Sequence, residues 1–397
     1  MATTAAPPDR PKAPPEKGAR ANWLRDGLLV PALALLSALI VGAIVMVFTD
    51  PETLRAYASF GVNPGRALSL SWELVYEAYS ALFRGSLGSP NAISETLVAA
   101  GPLMLAGLSV ALAFRAGLFN IGAESQILIG TLAASYVGFT FDSLPLIVHL
   151  PFALLAGFVG GATWGAVAGI LKAKTGAHEV ITTIMLNFVA LHLLNFMLKT
   201  GTYQRVGRTD PISKPVAESA RLPAFGDYRV NLGIVVALAM AWLIWWLLFR
   251  TTIGFRFRAV GSNPHAAAYA GMSVAGTYVL AMALAGGLAG LAGTTNLLGV
   301  ALSVTPGFAG YGFDAIALAL LGRTHPGGVV AAALLFGILR AGATGMQAAT
   351  SIPVDIIVVI QALIIVFVAA PALVRAIYRI RARRTVEGDA LAKSWAT

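Results

Sequence analysis

The sequence predicts an all-α, polytopic membrane protein with about ten transmembrane helices and both termini in the cytoplasm. Three observations carry that expectation. First, 57% of the 397 residues are hydrophobic and only 12% are charged, whereas a soluble domain carries about a quarter charged residues. Second, apolar runs of about 20 residues recur from end to end, the length that crosses a bilayer. Third, Lys and Arg gather at the chain ends and in alternate loops, which marks a cytoplasmic side. The 42 glycines fit the same class, because small residues let membrane helices approach closely.

The elements follow in chain order. Residues 1–22 are rich in Pro and Ala and read as a disordered cytoplasmic tail. The transmembrane domain covers 23–374, with hydrophobic segments at 28–48, 93–114, 118–140, 144–171, 178–198, 230–249, 272–298, 308–322, 326–349 and 353–374. The first is too long for a signal-peptide core, so it is a retained helix. The eighth is short, as a half-helix or re-entrant segment would be. An even number returns the chain to the starting side. A basic tail, 375–397, carries Arg375, Arg379, Arg381, Arg383 and Arg384, matching Arg10, Lys12, Lys17, Arg20 and Arg25 at the other end. Eighteen of the 28 Lys and Arg fall in the segments assigned to the cytoplasm and nine in the outer ones.

Two outer segments stand out. In 49–92, Leu68, Trp72, Val75, Tyr76, Tyr79, Leu82 and Phe83 follow helical spacing. This is an amphipathic helix, either lying at the interface or packed on the bundle. The loop 199–229 holds Lys199, Arg205, Arg208, Lys214, Arg221 and Arg229, where few cations are expected. Either it docks something acidic or the topology differs there.

Composition also excludes classes. The net charge of +10 sits in tails and loops, so it does not point to nucleic acid. With no cysteine there are no disulfides or thiolate metal sites. The five histidines are scattered, so no metal site is expected. None of the seven lysines follows a glycine, so no phosphate-binding loop of the Walker type is present. No catalytic constellation is apparent, so the chain is not expected to be an enzyme.

Polar residues inside apolar segments are costly, at about 2.5–3.5 kcal/mol for a charge on insertion scales, and therefore face a bundle interior or a watery cavity. The stretch "AGLFNIGAESQILIG" (116–130) holds Asn120, Glu124, Ser125 and Gln126. A helix starting near Gly117 puts Asn120 and Glu124 on one face, with Glu124 on the order of 10 Å inside. The carboxylate either tethers two helices or lines a pathway. In "GAHEVITTIMLNF" (176–188), Glu179, Thr183 and Asn187 are each four apart and form a stripe facing the bundle interior. Asn296, Asp314, Arg340, Asp355 and Gln361 are further intramembrane polar residues. Arg340 can be neutralised by Asp314 or by Asp355. The candidates for a translocation path are thus Asn120, Glu124, Gln126, Glu179, Thr183, Asn187, Asn296, Asp314 and Arg340. "GILKAKTG" (169–176) and "GILRAGATG" (337–345) lie on segments that run in opposite directions, a hint of an inverted repeat.

The cytoplasmic loop 250–271 reads "RTTIGFRFRAVGSNPHAAAYAG". Ser262 or Asn263 can cap a short helix with Pro264 in its first turn, and Gly271 can end it. It is either an ordinary connection or a small-faced helix that inserts into a partner.

Together the stretches "GLSVALAFRAGLFNIGAESQILIG", "GAHEVITTIMLNF", "RAVGSNPHAAAYAGMSV" and "GYGFDAIALALLGRTHPGGVV" resemble the permease subunit of ATP-binding-cassette importers of the branched-chain amino acid and simple-sugar type. The nearest branch is the nucleoside one, which depends on a BMP-type lipoprotein. Ser125 replaces the Gly of that branch's "GAEGQ" form, which leaves the substrate less defined. The resemblance implies a cytoplasmic ATPase that uses ATP, a second homologous permease in a heterodimer, and an extracytoplasmic substrate-binding lipoprotein, all at a bacterial plasma membrane. No cofactor is expected on this chain; membrane lipid surrounds it. It also implies that 250–271 is the coupling loop, with Ala267, Ala268, Ala270 and Gly271 against the ATPase and Arg258, Gly261 and Asn263 in the same stretch. The alternatives are an ion-coupled secondary transporter, in which Glu124, Glu179, Asp314 and Asp355 carry protons, and an importer permease for a simple sugar or branched-chain amino acid.

Overall fold

The computed structural model describes residues 29–307, 310–350 and 352–379. The tail expected over 1–22 and most of 375–397 lie outside the described residues. The chain runs through α1 (Val30–Thr49), α2 (Pro51–Ala58), α3 (Pro64–Leu87), α4 (Pro90–Arg115), α5 (Ala123–Thr140), α6 (Leu146–Thr175), α7 (Glu179–Met197), α8 (Gly233–Arg250), α9 (Thr252–Ser262), α10 (Pro264–Tyr269), α11 (Val274–Asn296), α12 (Tyr311–Leu321), α13 (Pro326–Thr350), α14 (Asp355–Ala369) and α15 (Pro371–Ile377). Several starts pair a capping side chain with a proline in the first turn. Asp50 accepts from Thr53 N at 2.8 Å ahead of Pro51, and Ser89 accepts from Ala92 N at 3.1 Å ahead of Pro90.

Each of the ten expected segments holds a helix, but they are not equal. Seven helices among the described residues are long and apolar enough to cross a membrane. α5 falls short because Glu124, Ser125 and Gln126 occupy its first turn, although it is largely buried. α12 has 11 residues, about 16 Å at 1.5 Å per residue, half of a hydrocarbon core of about 30 Å. The third expected segment began too early. Residues 118–122 are not helical, because Gly117 takes φ +74° and Leu118 N bonds back to Ala113 O at 3.0 Å, closing α4.

Two trios of helices, α4–α5–α6 and α11–α12–α13, run in opposite directions. The start of α4 lies beside the start of α8, where Val230 N donates to Ser94 Oγ at 2.8 Å. The end of α4 lies beside the turn between α12 and α13, where Arg115 Nε donates to Thr324 O at 3.0 Å. In each trio described residues outside the α-helices separate the first helix from the second, 116–122 in one and 302–307 with 310 in the other, the latter after a π-helical turn at Leu297–Ala301. The stretches carry the same pattern: Gly117, Gly122 and Glu124 in one, Gly307, Gly312 and Asp314 in the other. The fragments "GILK" and "GILR" fall on α6 and α13, the third helix of each trio.

The trios interlock, α6 on α11 and α13 on α4. The α6–α11 seam is backbone on backbone: a methyl group on Gly161 would collide with Gly286 O, and one on Gly165 with Met282 O. α3 packs on α13 with Ala78 and Leu82 buried, and Tyr79 Oη donates to Leu39 O of α1 at 2.6 Å. Leu68, Trp72, Tyr76 and Phe83 remain exposed on its other side. The helix is therefore packed on the bundle by one face. The loop 199–229 is folded down onto the bundle, with Ala217 N on Gly138 O at 2.9 Å and Ser213 N on Val304 O at 2.9 Å.

Candidate functional site

The two irregular stretches bring the first turns of α5 and α12 together. Glu124, in the first turn of α5 and 7% exposed, accepts from Gly310 N and Gly312 N, both at 2.7 Å. A carboxylate thus satisfies the orphan donors of a helix start and meets its positive end. Two glycines make this approach possible. Gly310 sits at φ +123°, a conformation that side chains disfavour. A Cβ on Gly312 would strike Glu124 N.

The start of α5 is capped by neutral groups. Asn187, reaching from α7, accepts from Ser125 N at 3.1 Å and donates to Ile121 O at 3.1 Å. Asn120 accepts from Gly122 N at 3.0 Å, and its amide pairs with that of Gln126 at 2.9 and 3.2 Å. Asn120, Ser125 and Gln126 are buried, Asn120 completely, and Asn187 is half-buried. Their polar groups are turned on one another, as buried polar groups must be. Because 118–122 is not helical, Asn120 does not share a helix face with Glu124; it folds back beneath the turn.

Arg340 of α13 pairs with Asp314, donates to Gly310 O at 3.4 Å and lies 4.9 Å over the Tyr311 ring. Of the two carboxylates open to it, Asp314 is the partner, and Asp355 is exposed at the start of α14. Glu124, Asp314 and Arg340 therefore converge on Gly310–Gly312. Gly310 and Phe313 are exposed beside them, Phe313 by 58%.

Other candidates sit elsewhere. Glu179 pairs with Lys172 at 2.8 Å across the α6–α7 turn. Thr183 bonds back to Glu179 O at 2.7 Å. Of that stripe only Asn187 caps α5. Asn296 is half-buried at the end of α11, and no hydrogen bond among the described residues joins it to the junction.

At the opposite end from the loop 199–229 lies the segment 250–271, folded as α9 and α10. Asn263 caps α10, accepting from Ala266 N at 3.0 Å. Ala268, Ala270 and Gly271 are exposed, but Ala267 is 4% exposed and faces inward. Gly261 is an internal contact: a Cβ there would strike Arg115 O, and Gly117 lies against it. Tyr269, at 98% exposure, is the most exposed large side chain of this segment. Small-residue composition drew attention to the alanines and hid the tyrosine between them.

In the loop 199–229, Arg208 pairs with Asp210 at 2.7 Å and Arg229 with Glu95 at 3.0 Å. The Arg208 guanidinium holds the Asp210 carboxyl below its usual range. Burial pushes the Tyr203 phenol up to about 12, with its hydroxyl on Leu132 O at 3.2 Å. Lys214 lies 5.6 Å over Phe139.

Residues 92–369 match the family described as branched-chain amino acid transport system / permease component. The chain is 40% identical over 352 residues to a guanosine ABC transporter permease protein of Bacillus subtilis, covering 88% of this chain and 94% of that protein. It is 36% identical to a nucleoside ABC transporter permease protein of Lactococcus lactis subsp. cremoris, covering 86% and 90%. It is also 36% identical to a glucose ABC transporter permease protein of Haloferax volcanii, covering 87% of each. No solved structure matches the chain.

Proposed function

Because the chain belongs to the branched-chain amino acid transport system permease family, we propose that it carries a nucleoside through the membrane as one half of a permease heterodimer. It is a multi-pass permease subunit of an ATP-binding-cassette importer and not an enzyme. An ATPase and a substrate-binding protein complete such a system. The observation that carries the nucleoside reading is the 40% identity to a guanosine permease over 94% of that protein's length.

Several features support the finer parts. Irregular backbone at membrane depth is tolerated only where protein covers it or water bathes it. Gly310 is open at the α12 start, with Phe313 and the Asp314–Arg340 pair beside it. A second permease seated there would enclose a path lined by Gly310, Phe313, Asp314 and Arg340. Asn120, Glu124, Gln126 and Asn187 are its scaffold, because their polar atoms are already satisfied within the chain. The exposed Tyr269, Ala268 and Ala270 of α10 would meet the ATPase, which binds the ATP; this chain binds no cofactor. Lys199 and Arg205 are exposed on the loop 199–229. They suit an acidic face on a lipoprotein at the outer surface of a bacterial plasma membrane, with both termini inside.

The test is uptake by the assembled system in proteoliposomes. Labelled guanosine and uridine should accumulate with ATP and the cognate binding protein, and neither glucose nor leucine should compete. Accumulation of glucose alone would replace the nucleoside reading with a sugar one. Uptake driven by a proton gradient without ATP would overturn both.

A further inference from the structure

At the end of the bundle that carries α9 and α10, three separate elements meet on one aromatic ring. Phe249, the penultimate residue of α8, has the Arg258 guanidinium of α9 at 5.4 Å and the Arg115 guanidinium of α4 at 5.7 Å from its ring centre. The His325 imidazole stacks on it at 5.5 Å and 29°. Arg115 ends the helix that precedes the α5 stretch, and His325 lies in the turn that follows α12. The ring therefore touches the end of α4 and the turn after α12, together with the segment that leads to α10.

Two like charges share this ring, and no carboxylate among the described residues forms an ion pair with either. Repulsion between guanidiniums acts to separate α9 from α4, while attraction to the π face holds both. Two further contacts tighten the same place. Gly117 and Gly261 meet backbone to backbone, so α9 is seated directly on the elbow that leads to Glu124. Arg115 also holds Thr324 O at 3.0 Å, in a turn where Arg323 and Thr324 take φ of +50° and +52°. Left-handed backbone at a β-branched residue is strained and persists only where the surroundings enforce it.

We propose that Phe249 is a positioning residue for energy coupling: its ring ties the ATPase-facing segment to the α4–α5 elbow and to the α12–α13 turn, so that movement of α9 shifts the lead into α5 and the end of α12 together. It touches neither solute nor nucleotide. A ring that merely filled space would be replaceable by any apolar side chain of similar size. A ring that holds two cations is replaceable only by another aromatic one.

This inference rests on the placement of the ATPase contact at α10, so the experiment tests that placement separately. The chain contains no cysteine, so Tyr269→Cys offers a single thiol. In the assembled importer it should cross-link to a cysteine in the ATPase subunit; without a cross-link at any ATPase position, the placement and the proposal both fall. In the same importer with its natural residue at 269, Phe249→Leu should keep ATP hydrolysis near the wild-type rate while solute taken up per ATP falls about tenfold, within the usual span of coupling between sites. Phe249→Trp should restore the ratio to within about twofold, since Trp is the strongest π partner for a cation. An unchanged ratio in Phe249→Leu would overturn the proposal. So would equal losses in Phe249→Leu and Phe249→Trp, or loss of ATPase activity and uptake in step, because each of these marks a packing role.

Discussion

The two irregular stretches carry one motif and put it to different uses. In 117–124 the acidic residue reaches away from its own helix and caps the start of α12. In 307–314 the acidic residue stays on its own side and takes Arg340. The start of α5 is capped instead by the amides of Asn120 and Asn187. Two oppositely directed copies of a sequence pattern have thus become a charged cap and a neutral cap. The difference says that repeated topology fixes where helix starts meet, while single side chains decide how firmly each is held.

The equivalent glycines give the sharpest contrast. Gly312→Ala should produce the largest effect, because its Cβ would strike the Glu124 backbone, and overpacking against an immobile partner costs about 1–3 kcal/mol or more. Gly122→Ala should be mild: its Cβ meets Thr183 side-chain atoms at 3.0 and 3.2 Å, which can shift by a few tenths of an ångström. Thermal unfolding of the two purified variants in one detergent should separate them clearly. Equal loss would mean that the two stretches are under the same constraint and that the contrast is false.

Next in size is loss of the charged cap. Glu124→Leu leaves Gly310 N and Gly312 N without their acceptor, at about 1–3 kcal/mol for the buried Gly312 N and less for Gly310 N, which water can reach. Asp314→Asn should cost less, because Asp314 and Arg340 are 22% and 31% exposed at their side chains and water softens the lost pair. Pairing Asp314→Asn with Arg340→Gln should recover part of the loss, while no change at Arg340 should rescue Glu124→Leu. A double-mutant cycle reads this directly. Coupling between Glu124 and Arg340 as strong as that between Asp314 and Arg340 would merge the two sites into one.

How much of this was legible beforehand depends on the residue. That each apolar segment holds a helix, and that most of 116–130 is buried, followed from apolar periodicity and the price of polar groups in lipid. The fragments at 169–176 and 337–345 fall on the third helix of each trio, but at the end of one and in the middle of the other, so they are not equivalent positions. What could not be read was where helices stop. Gly117 looks like any small residue of a membrane helix until its φ of +74° is known, and that one angle removes Asn120 from the α5 face. Glu124 looked like a tether or a pathway group, and only the meeting of α5 with α12 across some 186 positions shows that it is a cap. Arg340 had two carboxylates open to it in sequence, and packing of α13 beside α12 chose Asp314. Ala267 and Tyr269 differ by two positions, and a helix of six residues turns one inward and the other out.

The smallest effect belongs to the neutral cap. Asn187→Ala removes an acceptor from Ser125 N and a donor from Ile121 O. Neutral hydrogen bonds of this kind contribute about 1 kcal/mol net, and Asn187 is only half-buried, so water can replace part of what is lost. Asn120 remains on Gly122 N, so the first turn of α5 keeps one of its caps. The expected outcome is a fall in unfolding temperature smaller than that of Glu124→Leu, with uptake largely retained. If Asn187→Ala instead matched Glu124→Leu, charge would not distinguish the two helix starts, and the amide would have to be holding α7 against α5 as well as capping it. Asn187→Asp separates these cases. A carboxylate can still accept from Ser125 N and is favoured at a helix start, but it cannot donate to Ile121 O. A variant as stable as the parent would assign the role of Asn187 to capping alone, and one as weak as Asn187→Ala would assign it to the bridge between α7 and the elbow.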